Sequence, residues 1–186
     1  MHILIAEDES ITRLGLRRIL EDAGHQVVAA SDGRTAVKLA RQTAPDLAIL
    51  DVKMPTMDGL EAARAIYGQR PTPIVLLTAY SDQALIEQAA RLPVMAYLVK
   101  PIKERELLAT LEVVAARFAE FEWMHRQTVE LKEELAARKV IEQAKGVLMR
   151  RQDLSEEEAY RCIQRQARGE RRPMRAIAED ILNRVD

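Results

Sequence analysis

The chain has 186 residues, 48% of them hydrophobic and 31% charged, with a net charge of −1. That composition excludes a disordered or collagen-like chain, and no apolar run approaches the ~18 residues of a membrane-spanning helix. A single cysteine, Cys162, excludes an internal disulfide framework and leads us to expect a cytoplasmic protein.

The N-terminal stretch MHILIAEDES reaches an acidic cluster at once, unlike the apolar core of a signal peptide. Short apolar runs then recur at 3–6 (ILIA), 27–30 (VVAA), 47–50 (LAIL), 74–77 (IVLL) and 96–99 (AYLV). Between them lie amphipathic segments near 10–23, 34–43, 58–68 and 82–91, with another beginning at 103. Five strands, each followed by a helix, predict an α/β domain with a doubly wound five-stranded parallel sheet. Continuous apolar runs rather than alternation fit strands covered on both faces.

The polar residues fall where such a sheet binds ligands. Glu7 and Asp8 follow the first strand, Asp51 the third, Thr78 the fourth and Lys100 the fifth, all at carboxyl ends. In the order 2-1-3-4-5 the first and third strands are neighbours, so the three carboxylates converge. Their mutual repulsion calls for a cation, and all-oxygen ligands favour Mg²⁺. Lys100 adds a positive charge and Thr78 a hydroxyl. Each residue alone is an ordinary helix cap or surface charge; together they suit covalent phosphorylation of an aspartate.

The motifs AED, LAILDVKMPTMDG, LLTAY and AYLVKP resemble the receiver domain of two-component response regulators, over about residues 1–120. The resemblance implies a flavodoxin-like fold in which Asp51 accepts phosphate from a histidine kinase. It implies Mg²⁺ held by Glu7, Asp8, Asp51 and the backbone carbonyl of Lys53, with Thr78 and Tyr97 as a switch pair and Lys100 on the phosphoryl group. The Lys100–Pro101 bond is one that is often cis in this family. RLPVMAYL departs from the family pattern, with Pro93 where a glycine-containing turn is usual.

From Lys103 onward helical periodicity persists without Pro or Gly as far as Ala137. Leu107, Leu111, Val114, Phe118, Phe121, His125 and Thr128 alternate at spacings of four and three, a coiled-coil seam. The last domain helix overrunning its core would account for the first turns only. We therefore expect a linker helix over 104–137 that pairs with a second copy of the chain.

Three short helices follow in a C-terminal bundle over 130–186. The first covers about 138–151; the second begins at a capping box, Ser155 with Glu158, and ends at Gly169; Pro173 suits the first turn of the third. Residues 136–186 hold 12 Lys and Arg against 9 Asp and Glu, a net of +3, whereas the preceding 135 hold 16 against 20. Arg161, Arg165 and Arg168 form a stripe beside Tyr160. Such a stripe either contacts nucleic acid, with Tyr160 stacking on a base, or pairs with acids such as Glu157.

RKVIEQAKGVLMRR, LSEEEAYRCIQRQAR and RPMRAIAEDIL resemble the ANTAR domain, the RNA-binding module of response-regulator antiterminators. The resemblance implies binding to stem-loops in leader transcripts, with Lys145, Arg150, Arg161 and Arg165 on phosphates or bases and Gly146 allowing close backbone approach. A helix-turn-helix-like DNA-binding tail and a purely dimerising tail are the competing expectations. The receiver would catalyse only its own phosphorylation and hydrolysis, so the chain reads as a regulator and not an enzyme.

Overall fold

A computed structural model describes residues 1–79 and 94–183. Strands β1 (His2–Ala6), β2 (Gln26–Ala30), β3 (Leu47–Asp51), β4 (Ile74–Thr78) and β5 (Val94–Val99) form one parallel sheet in the order β2-β1-β3-β4-β5. The expected five-stranded doubly wound sheet is therefore observed. The helical segment expected near 82–91 and the Pro93 departure lie outside the described residues.

Period-two alternation assigns the strand side chains to two apolar layers. Leu4, Ala6, Leu50 and Leu76 pack with Ala36 and Ala40 of α2 (Gly33–Thr43) and with Leu60, Ala63 and Ile66 of α3 (Gly59–Gln69). Ile3, Ile5, Ile49, Val75 and Leu77 pack with Leu16 and Leu20 of α1 (Ser10–Asp22) and with Leu107, Leu111 and Val114 of α4 (Glu104–Gln152). Every residue of β3 and β4 is buried, which explains why these strands read as unbroken apolar runs. Asp32 and Asp58 cap α2 and α3 by accepting from the backbone N–H groups of Thr35 (2.9 Å) and Glu61 (2.7 Å).

The chain divides into two compact units, Met1–Phe121 and Glu122–Asp186. In the second, the C-terminal turns of α4 meet α5 (Glu156–Glu170) and α6 (Met174–Asn183) around Ala144, Leu148, Ala159, Ile163, Ala167, Ile177 and Ala178. The predicted capping box is present: Glu158 N–H donates to Ser155 Oγ and Ser155 N–H donates to the Glu158 carboxylate.

Three sequence expectations change. The linker and the first tail helix are one element, because nothing between Glu104 and Lys145 interrupts helical bonding. Gly169 does not end α5; Arg171 does, in the left-handed region at φ 52°, with Arg172 N–H bonded back to the Ala167 carbonyl at 3.0 Å. Leu107, Leu111 and Val114 are buried in the layer beside β1, so these first seam positions serve the receiver core. Beyond Phe118 the helix is exposed as far as Ala136, apart from half-buried Glu122. No helix among the described residues is long and apolar enough to cross a membrane.

Candidate functional site

The carboxyl edge of the sheet gathers the acids. Glu7 lies just past β1, wholly buried; Asp8 is exposed; Asp51 is the buried last residue of β3. One carboxylate oxygen from each falls within 4.8 Å of the others. Lys100, after β5, places Nζ 2.8 Å from Asp51 Oδ2 and 2.7 Å from Glu7 Oε2. The second approach is off-angle, so this buried oxygen lacks a hydrogen-bond partner. Burial, and to a lesser degree the nearby Asp51 charge, raise the Glu7 carboxyl pKa despite the pull of Lys100. Burial alone would lower the Lys100 ammonium; its hydrogen bond to Asp51 and its close ion pair with Glu7 together outweigh that and raise it.

Three carboxylates and one ammonium leave about two negative charges unneutralised, and Glu7 Oε2 has the Lys100 charge beside it but no well-aligned hydrogen bond. An oxygen-liganded divalent cation fits both facts. The Lys53 N–H is directed to Asp51 Oδ1 at 3.4 Å. Thr78 is buried, its hydroxyl donating to the Ala79 carbonyl at 3.1 Å and not to Asp51. Tyr97 is half-buried against the layer containing Leu50 and Leu76, and burial raises its phenol pKa. The Lys100–Pro101 bond is cis.

Residues the motifs did not single out shape this edge. Arg13 of α1 donates from Nη1 to the carbonyl oxygens of Glu7 (2.7 Å) and Asp8 (3.1 Å), fixing the loop that carries both acids. Nothing in helical spacing signals a side chain reaching five and six residues back to backbone. Thr56 holds φ at 66°, with Met57 N–H bonded to the Pro55 carbonyl at 2.8 Å. This γ-turn is a strained state for a β-branched residue, and it lies in the loop between Asp51 and α3. At Gly59 a Cβ would stand 2.1 Å from the backbone oxygen of Asp51, so only glycine lets α3 begin so close to the aspartate.

In the second unit the expected contact residues separate into two groups. Lys145 is only 6% exposed, its Nζ bonded to Glu142 (2.9 Å) and Glu156 (2.7 Å). Hydrogen bonds from Glu156 first and Glu142 second raise its pKa, while Lys145 holds the Glu156 carboxyl below its ordinary value. Arg161 is committed to Glu157. Arg150 and Arg165 are exposed and in no ion pair among the described residues. Tyr160 is exposed. At Gly146 an added Cβ would meet only Arg150 Nη1, at 3.5 Å, so no neighbouring helix presses on the glycine.

Comparison with known proteins follows this division. Residues 3–112 match the response regulator receiver domain and residues 129–182 match the ANTAR domain. The chain is 42% identical over 181 residues to the transcriptional regulatory protein PdtaR of Mycobacterium tuberculosis (strain ATCC 25618 / H37Rv), covering 97% of this chain and 88% of that protein. It is 36% identical over 115 residues to the transcriptional regulatory protein AfsQ1 of Streptomyces coelicolor, covering 62% of this chain and 51% of that protein. Its fold resembles the receiver domain of the sensor histidine kinase PA1611 from Pseudomonas aeruginosa PAO1, whose active-site cleft coordinates a magnesium ion. The TM-score is 0.58 at 30% identity, over 62% of this chain and 97% of that one. Another structural relative is the chemotaxis protein CheY4 of Vibrio cholerae, with TM-score 0.58 and 34% identity over 61% of this chain and 97% of that one. The chain belongs to the response regulators in which a receiver domain is followed by an ANTAR domain.

Proposed function

We propose that this protein is a phosphorylation-controlled antiterminator: Asp51 accepts phosphate from a histidine kinase, and the C-terminal helices bind RNA stem-loops in leader transcripts. The convergence of Glu7, Asp8, Asp51 and Lys100 on one sheet edge carries the reading. A carboxylate oxygen of Asp51 attacks the phosphorus of a phosphohistidine in line. The P–N bond breaks, its electron pair stays on the imidazole, and an acyl phosphate forms. Mg²⁺, held by Glu7, Asp8, Asp51 and the Lys53 carbonyl, would offset charge on the phosphoryl oxygens. A groove of about 490 Å³ beside Lys100, lined by Glu9, Thr12, Leu16 and Ile102, offers the donor a wall to rest on.

Once Asp51 is phosphorylated, Lys100 pairs with a phosphoryl oxygen. Thr78 turns from the Ala79 carbonyl to donate to the same group, and Tyr97 follows inward. This two-state change biases how α4 pairs in a homodimer. Exposed Met124, Leu131 and Leu135, at spacings of seven and four, support such pairing. A dimer presents two ANTAR units to two RNA loops and raises avidity without new contacts.

The test phosphorylates the full chain and its Asp51→Ala variant with acetyl phosphate, then offers RNA hairpins against duplex DNA at one stated salt concentration. Labelling of the wild type alone, with hairpins preferred, is expected. Full labelling of the variant removes Asp51 as acceptor, preference for duplex overturns the RNA reading, and a dimer without nucleic-acid affinity leaves the tail as a scaffold.

A further inference from the structure

Lys139, Gln143, Gly146 and Arg150 follow one another at spacings of four, three and four, and so share one face of α4. They line a groove of about 670 Å³ whose apolar side is Val147 and Leu182, the latter on α6. Its floor is helix backbone, because Gly146 has no side chain and no helix fills the space. Lys139 and Arg150 are exposed and in no ion pair among the described residues. The carboxylate at the rim, Glu142, is held by Lys145, which offsets its repulsion of an anion.

These features suit a flat apolar ring attached to phosphates. Resting on the RNA reading above, we propose that this groove receives one extruded base of an RNA loop. The ring lies on the Gly146 backbone against Val147 and Leu182, in the place the Arg150 Nη1 now occupies, and the exposed Arg150 side chain swings out to stack on its outer face. Gln143, with both a donor and an acceptor, reads the base edge, and Lys139 holds an adjacent phosphate. Lys145 is then a positioning residue, acting through Glu142.

The experiment uses the full-length chain and hairpins of fixed stem and randomised loop, taking the most enriched hairpin and making each loop nucleotide abasic in turn. For the wild type, one position is expected to cost about tenfold in affinity. That penalty disappears in Gly146→Leu, whose melting temperature does not fall, and in the exposed Gln143→Ala, which keeps the fold if the leucine does not. Lys139→Ala weakens all loops alike and lowers the salt slope by about one. An unchanged abasic penalty in both groove variants overturns the groove while leaving RNA binding intact. A wild-type chain that enriches no hairpin overturns the RNA reading itself.

Discussion

Gly59 begins α3 where the backbone oxygen of Asp51 leaves no room for a side chain: a Cβ at Gly59 would stand 2.1 Å from that oxygen and 2.8 Å from its carbonyl carbon. The obstacle is backbone, so relief requires moving either α3 or the end of β3. Gly59→Ala is expected to destabilise the receiver by about 1–3 kcal/mol. It should also slow labelling by acetyl phosphate, because Asp51 moves with its own carbonyl. Thermal melting and the initial labelling rate measure the two effects; an unchanged rate would show that the loop absorbs the strain without displacing the carboxylate.

The proposed cation site includes Glu7, whose titration would make cation binding depend on pH. Its pKa is raised above the ordinary 4.5, chiefly by burial. A raised carboxyl favours the neutral form in the folded chain, so the stability contribution of Glu7 is fully present below pH 4.5 and is lost as pH rises through the raised value. Without Mg²⁺ the receiver therefore loses stability over that window. Mg²⁺ held through Glu7, as proposed, would require the carboxylate, so its affinity is expected to rise over the same window, with proton release on binding. Titration calorimetry in two buffers of different ionisation heat reads that proton. Glu7→Gln should flatten the pH dependence, stabilise the metal-free receiver and weaken Mg²⁺ binding.

Lys145 joins α4 to the first turn of α5 through Glu156. Its buried stem and double pairing make it a structural residue of the second unit. Lys145→Ala is therefore expected to lower the unfolding midpoint of the C-terminal helices, and Lys145→Met, which keeps the stem, to lower it less. Glu156 and Glu158 both have depressed pKa values, from Lys145 and from Ser155 respectively. Their stabilising contribution is present above the ordinary 4.5 and lost as pH falls through the folded values. Lys145, raised above 10.5, loses its contribution as pH climbs through its folded value. Helical content of the second unit should hold a plateau between these limits and fall on the acid side first. A midpoint that Lys145→Ala leaves unchanged would return Lys145 to the RNA-contacting role expected from sequence.

Apolar runs made the sheet legible because β3 and β4 are buried on both faces and admit no polar residue until Asp51 and Thr78 end them. The acid pocket was legible for the same reason: polar residues stand out where an apolar run stops. What stayed hidden depends on reach through space. Arg13 grips backbone oxygens across the β1–α1 turn, and Arg172 reaches Asp180 eight residues on. Lys145 read as an RNA contact because sequence does not show that its stem is buried and its head paired with Glu142 and Glu156 on two helices. The left-handed states at Thr56 and Arg171 contradict residue preference and are held by the backbone bonds of the turns themselves. A four-three repeat cannot distinguish a helix packed on its own sheet from one packed on another chain, since both bury one stripe.

That last ambiguity gives a contrast between two leucines of one helix. Leu107 is wholly buried with Ile3, Ile5 and Leu77, whereas Leu135 is 67% exposed. Leu107→Ala removes a packed side chain from the receiver and is expected to destabilise that unit by about 2–5 kcal/mol. The association constant, measured where the variant remains folded, should not change. Leu135→Ala touches no core within its own chain, so its unfolding midpoint should correspond to a change within about 0.5 kcal/mol. If α4 pairs through its exposed positions, that same change weakens self-association, and Leu131→Ala with Leu135→Ala weakens it further. Sedimentation with and without acetyl phosphate separates the two effects. A chain whose association constant ignores both exposed leucines does not pair through this part of α4.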